Sequence, residues 1–273
     1  MSKMIDGKKV SLCLKEKLIE KINKLDKKLT LVDISVGSDE ATKVYVRQKE
    51  KMANSIGYNF LNLHFEKIDE NDLIKEIKKL NNNQEITGII IQLPLPSYLD
   101  RNKVINAIDP KKDVDGLTTT NMIKLIKGQK CLKPCTPKGI VTLLDYYNID
   151  VTNKKVVIVG RSELVGLPLF HLLLYKNATI TLCHSKTNDL SYYTKHADIL
   201  IVSVGKKDLI TPDMIKKGVI IIDVGINRVD GSLFGDVSCE CQSKAKLITP
   251  VPGGVGPMTV ISLMENVYEA NLN

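Results

Sequence analysis

Tyr45 and Lys49 stand four residues apart in a stretch with helical spacing, Glu40 to Ile56, and so share one helix face. A lysine that is partly neutral can act as a general base. A tyrosine and a lysine at this spacing also fit a half-buried surface pair. Ser38 or Asp39 stands ready to cap this helix. Gln92 ends the apolar run Ile89–Ile91 and leads into Leu93-Pro94-Leu95-Pro96. Ligands gather at the carboxyl ends of strands in open α/β sheets, and a glutamine before two prolines is an odd choice for a mere strand end. Asp113 and Asp115 lie two apart in the loop Asp109–Gly116. Such a pair could hold a metal, cap a helix or meet the cationic edge of a ligand. Capping is the simpler role for Asp113, and Asp115 is better placed to face a pocket.

A second centre is VVIVGRSELVGLP, Val156 to Pro168. A short β-branched strand breaks at Gly160 and continues as an apolar helix through Leu174. Strand, glycine turn and helix open a mononucleotide-binding βαβ unit, in which the glycine admits a pyrophosphate and the helix start offers free N–H donors. The spacing Gly160–Gly166 departs from the G-x-G-x-x-G fingerprint, and an ordinary βα turn could read the same way. The next strand, Thr179–Cys183, ends in His184, Ser185, Lys186 and Thr187, with no carboxylate before Asp189. An NAD site usually carries an acid there for the ribose hydroxyls. With Arg161 in the glycine turn, the pocket is basic and hydroxylic, which favours the 2′-phosphate of NADP.

The elements that must position these groups alternate strand and helix. Helical spacing covers residues 8–25, and strands are expected at Leu29–Val36 and Phe60–Phe65. A helix follows at Asp72–Leu80 and another at Lys103–Ile108. Thr136 and Pro137 read as cap and first residue of a helix reaching about Tyr147. The strands Val156–Val159, Ile180–Cys183, Ile199–Val204, Val219–Val224 and Leu247–Ile248 are apolar throughout, as in a parallel sheet covered on both faces. Glycines close two of these strands, at Gly205 and Gly225. The loop Pro250–Pro257 feeds a last amphipathic helix, Met258 to Ala270, expected to return to the first domain, with the loop in a cleft between domains. The fold class is α/β with two α/β domains, the second Rossmann-like. Residues 1–137, completed by 257–273, form the first domain, and 138–256 the second.

Bulk properties narrow the function. A chain of 273 residues suggests one or two domains, and 43% hydrophobic content with a mean hydropathy near zero supplies real cores. No signal peptide or membrane-length apolar run is read, so a cytoplasmic protein without a membrane partner is expected. The net charge of +8 rests on scattered lysines, with arginine only at 47, 101, 161 and 228. No dense basic tract or aromatic RNA-reading motif occurs, which excludes nucleic acid as the expected partner. The six cysteines match no common zinc spacing and are expected as free thiols, with no metal site.

Taken together, VGSDEATKVYVRQKEK, GIIIQLPLP, PKKDVDG, PCTPKGI, VVIVGRSELVGLP, TLCHSKT, IIDVGINRV, FGDV and ITPVPGGVGPMT resemble, nearly end to end, the bifunctional methylenetetrahydrofolate dehydrogenase/methenyltetrahydrofolate cyclohydrolase family. The resemblance implies NADP-dependent oxidation of 5,10-methylene-tetrahydrofolate followed by hydrolysis of the methenyl product to 10-formyl-tetrahydrofolate, in a homodimer. It implies that Tyr45 stacks on the folate, that Lys49 is the central catalytic residue, and that Gln92 holds and tunes it. Asp115 would pair with the pterin edge, and Pro252 and Gly253 would line the folate cleft. Gly160, Arg161, Ser162, Ser185 and Ile226 would contact NADP, with Arg161 and Ser185 near the 2′-phosphate. The Gly160–Gly166 spacing is the one this family shows. A dehydrogenase lacking the hydrolysis step, and a non-catalytic NADP sensor, are the competing readings.

Overall fold

A computed structural model of the chain describes residues 3–37 and 40–272 and divides into two compact units. One comprises Cys13–Cys135 with Val260–Asn273, the other Met1–Leu12 with Thr136–Thr259. The expected cap at Ser38 or Asp39 lies outside the described residues. The chain opens with strand β1 (Lys3–Met4) and helix α1 (Gly7–Ile22).

The first unit is built on a three-stranded parallel sheet of β2 (Thr30–Val36), β3 (Asn59–Phe65) and β4 (Gly88–Ile91), in the order β3-β2-β4. Every residue of β2 is buried, which is why it takes the centre. Side chains alternate along a strand. Val32, Ile34 and Val36 enter a core with Leu73 and Ile77 of α3 (Glu70–Asn82), Ile89 and Ile91 of β4, and Val104 of α4 (Arg101–Asn106). Leu31, Asp33 and Ser35 therefore project to the other face, on the side of α2 (Glu40–Ser55). After the loop Asp109–Gly116, a helix that the sequence reading omits, α5, occupies Thr119–Ile126.

The end of the last helix, α9 (Val255–Ala270), completes this unit. The fully buried Asn266 donates from Nδ2 to the carbonyls of Val114 and Lys133, both at 2.8 Å. Tyr58 Oη donates to the Met264 carbonyl at 3.0 Å. The expected return of the C-terminal helix to the first domain is thus observed.

The second unit carries a parallel sheet in the order β1-β11-β8-β7-β5-β6. Its strands are β5 (Lys155–Val159), β6 (Thr179–Cys183), β7 (Ile199–Val202), β8 (Ile220–Asp223) and β11 (Leu247–Ile248), joined by β1. The first residues depart from the expectation that 1–137 form one domain. Lys3 and Met4 pair with Leu247 and Ile248, the Ile5 N–H donates to the Ile248 carbonyl at 2.8 Å, and Ile5 is fully buried. A strand this short has no periodicity to read. The hairpin of β9 (Asn227–Val229) and β10 (Ser232–Phe234) is likewise unanticipated. Helix α6 (Cys135–Tyr146) starts before the expected cap, so Thr136 lies inside its first turn, with Oγ1 bonded to Thr259 Oγ1 at 2.9 Å. No helix among the described residues is long and apolar enough to cross a membrane.

Replacing Asn266 by alanine removes the donor to two buried carbonyls and is expected to destabilise the protein by about 2 kcal/mol or more. Urea denaturation should show a lower midpoint with an unchanged slope.

Candidate active site

Helix α2 turns Lys49 inward, 8% exposed, and leaves Tyr45, one turn earlier, 40% exposed. Lys49 Nζ donates to Asp33 Oδ2 at 2.6 Å and to Gln92 Oε1 at 2.5 Å. Gln92 Nε2 donates to the carbonyl of Leu93 at 3.1 Å, which fixes the amide with its oxygen toward Lys49. The backbone explains the meeting. Asp33 pairs in register with Ile90, and the Gln92 N–H donates to the Ile34 carbonyl, so Asp33 and Gln92 fall on the same face of neighbouring strands. Sequence reasoning missed Asp33. The available signal is a lone carboxylate inside the apolar run Leu29–Val36, which cannot be buried without a partner.

The loop carboxylates divide their roles. Asp113 accepts from the N–H groups of Leu117 (3.2 Å) and Thr118 (2.8 Å) and from Asn121 Nδ2 (2.8 Å), so it organises the turn ahead of α5, whose N-cap is Thr118 and not the expected Asp113. Asp115 is partly accessible, yet burial, reinforced by the charge of Asp113, pushes its pKa up to about 6. The charge of Lys49 and a thiol hydrogen bond from Cys135 act in the opposite direction. Asp115 is thereby poised to change charge near neutrality. Gly116 holds φ +69°, and a Cβ there would strike the backbone of Leu132, Lys133 and Pro134.

In the second unit the glycine turn follows β5. Gly160 has φ +119°, and a Cβ on it would collide with the Ser203 carbonyl. A Cβ on Gly166, at the start of α7 (Gly166–Leu174), would collide with the Gly160 carbonyl. This packing of helix start on turn is the physical reason for the unusual spacing. Ser162 Oγ accepts from the Val165 N–H at 3.1 Å, and the Ser162 carbonyl from the Leu167 N–H at 3.0 Å. Arg161 and Ser185 are exposed. Ser185 sits in a turn closed by the His184 N–H on Thr187 Oγ1 (2.8 Å) and the Lys186 N–H on His184 Nδ1 (3.1 Å). Asp189 is occupied as the N-cap of α8 (Leu190–Lys195), accepting from Tyr192 N–H. A cradle of bare backbone with exposed basic and hydroxyl groups fits a dinucleotide phosphate.

A carboxylate knot that the sequence did not suggest holds the neighbouring loops. The fully buried Asp236 accepts at Oδ2 from Val204 (2.6 Å) and Gly205 (3.0 Å) N–H and at Oδ1 from Lys206 N–H (2.8 Å) and Asn227 Nδ2 (2.9 Å). Asp223 accepts from the N–H groups of Gly225, Asp236 and Val237, and burial raises its pKa to about 6. Ile226, 45% exposed, is presented by this arrangement. Pro252 is exposed and Gly253 half-buried in the turn after β11, where the Gly253 carbonyl accepts from Lys8 N–H at 2.9 Å. The structure thus brings Lys49, Gln92 and the unexpected Asp33 together in the first unit. Pro252, Gly253 and the expected cofactor contacts belong to the second.

Comparison with known proteins covers both units. Residues 5–115 match the tetrahydrofolate dehydrogenase/cyclohydrolase catalytic domain, and residues 134–273 the NAD(P)-binding domain of the same family. The chain is 47% identical to a bifunctional protein FolD of Agathobacter rectalis, covering 99% of each chain. It is 44% identical to that of Clostridium novyi, covering 97% of this chain and 98% of the other. Among solved structures, the bifunctional FolD of Campylobacter jejuni superposes with a TM-score of 0.98 at 41% identity, covering 100% and 99% of the two chains. A Trypanosoma brucei FolD, solved with NADP cofactor and inhibitor, gives 0.94 at 32% identity, covering 98% and 97%.

The raised pKa of Asp115 has a sign that can be checked. Its folded value of about 6 lies above the reference 3.8, so ionisation costs stability as pH rises through about 6, while below 3.8 both states are protonated. Asp115→Asn is expected to melt higher than the parent at pH 7.5, and the two melting temperatures should converge near pH 4.

Proposed function

The chain belongs to the tetrahydrofolate dehydrogenase/cyclohydrolase family, and from that premise we propose the roles of its individual residues. Its function is bifunctional: NADP-dependent oxidation of 5,10-methylene-tetrahydrofolate to the 5,10-methenyl compound, and hydrolysis of that compound to 10-formyl-tetrahydrofolate. Gly160, Arg161, Ser162, Ser185 and Ile226 hold NADP, and Arg161 with Ser185 receives the 2′-phosphate. The preference for NADP over NAD is supported by the exposed Arg161 and by the engagement of Asp189 in capping α8. NADP held there would supply the acceptor for the hydride of the methylene carbon.

Folate is assigned to Tyr45, Lys49, Gln92 and Asp115, with Pro252 and Gly253 as further contacts. The half-exposed Tyr45 ring offers a flat face for stacking. Ionised Asp115 accepts two parallel hydrogen bonds from an aminopyrimidine edge. The oxidation leaves a cation stabilised by the substrate's own nitrogens, so the residues contribute mainly by positioning. Hydrolysis requires more, because the attacking water must lose a proton. The observation that carries the reading is Lys49, buried and held by Asp33 and Gln92. Two of its three N–H donors are engaged and the third remains for a water or substrate atom.

A homodimer in the cytoplasm completes the proposal. The edge strand β3 supports the dimer: among the described residues it pairs only with β2, and Leu61 on it is 45% exposed.

Lys49→Ala should lower hydrolysis of purified methenyl-tetrahydrofolate by about 100-fold or more, followed as decay of its ultraviolet absorbance. Arg161→Ala should lower kcat/KM with NADP by about tenfold, with little change for NAD, compared in steady-state assays.

A further inference from the structure

Asp33 is fully buried, on the central strand β2, and reaches Lys49 Nζ with Oδ2 at 2.6 Å. Its Oδ1 is also buried and has no hydrogen-bond partner among the described residues. Every other residue of β2 is buried too, and the remainder are apolar or hydroxylic. Valine or isoleucine would fill this position without desolvating a charge, and a buried ion pair is weak support for stability. A local rule broken in a core is expected where chemistry needs it.

Hydrolysis needs somewhere for the water proton to go, and an ammonium cannot take it. Resting on the assignment of Lys49 to hydrolysis, we infer that Asp33 is the proton acceptor behind Lys49, a positioning residue that takes a proton from the paired lysine and so makes it a base without loss of that proton to solvent. The oxygen of water forms a bond to the methenyl carbon while one of its O–H bonds breaks. That proton joins Nζ, which has already given a different proton to Asp33 Oδ2 and turned about its Cε–Nζ bond to aim the freed lone pair at the water. The cationic substrate and the carboxylate become a neutral hydroxy adduct and a carboxylic acid, so charge balances, and Lys49 ends as it began. Asp33 then returns its proton through Lys49 to the nitrogen that leaves as the ring opens. The proton of the adduct's hydroxyl departs to solvent. Gln92 Oε1 keeps Nζ in place throughout, because an amide oxygen accepts a hydrogen bond but takes up no proton at neutral pH.

Asp33→Asn isolates this role. Asparagine retains an oxygen able to accept from Lys49 yet cannot receive its proton. The expected result is a fall in kcat for hydrolysis of methenyl-tetrahydrofolate of about 100-fold, with KM within about twofold of the parent. Hydrolysis close to the parental rate in Asp33→Asn, with Lys49→Ala inactive, overturns the role of Asp33 and leaves that of Lys49 standing. Full hydrolysis in Lys49→Ala overturns both. The pH profile separates this role from a structural one. In Asp33→Asn, Lys49 must lose a proton to solvent before it can take one from water, so the hydrolysis rate should rise as the pH is raised toward about 9. Asp33→Glu, which keeps a proton acceptor, should hydrolyse faster than Asp33→Asn and lack that rise. A profile of Asp33→Asn parallel to the parent's overturns the inference.

Discussion

A buried ammonium must be surrounded by oxygens, and most of the first unit is arranged to provide them for Lys49. Two strands distant in sequence must lie side by side in parallel, because only then do Asp33, midway along β2, and Gln92, just past the end of β4, project from the same face. Helix α2 must present Lys49 to that face and not to the apolar core on the other side of β2. The Gln92 amide must be fixed, or its NH2 group would meet the ammonium, and the Leu93 carbonyl fixes it. Each requirement excludes alternative registers. A slip of one residue between β2 and β4 would turn Gln92 away from Lys49 and onto the apolar face of the sheet, with Val32, Ile34 and Val104.

The second unit answers the opposite problem, buried anions, with backbone donors. Asp236 and Asp223 collect N–H groups from residues 204–206, 225 and 236–237. Loops following separate strands are drawn together without further secondary structure. This gives rigidity to a region whose glycines would otherwise leave it loose. The same unit uses bare backbone at Gly160, held against the Ser203 carbonyl, and at Gly166, held against the Gly160 carbonyl, so close that neither position admits a side chain.

The strands and helices that alternate through the chain were legible because their apolar periods are long and regular. So was the expectation that Tyr45 and Lys49 share a helix face, although spacing alone could not tell that one is half-exposed and the other buried. What stayed hidden has physical causes. Strand β1 is too short to show alternation, and it is recruited by pairing with residues nearly the whole chain away. Thr136 has the composition of a cap, but its hydroxyl found Thr259 through tertiary packing. Asp33 was read as part of a strand and nothing more, because strand propensity concerns the backbone and is silent about what a side chain will meet across the sheet. A carboxylate flanked by Val32 and Ile34 was nonetheless a visible anomaly.

The five carboxylates at these centres differ most in how well they are supplied with donors. Asp113 receives three hydrogen bonds and Asp236 four, and both act as fixed points for loops. Among the described residues Asp33 has one oxygen without a partner, and Asp115 sits beside another acid, with burial acting against its charge. The well-supplied carboxylates, Asp223 with its three backbone donors among them, spend their lone pairs on loops and serve architecture, even where burial raises the pKa as it does for Asp223. An undersupplied one leaves capacity for a proton or for an incoming ligand's donors, at a cost in stability that a purely structural residue would not incur. Incomplete satisfaction, more than residue type or burial, separates the acids that can take part in this chemistry from those that hold the scaffold in place.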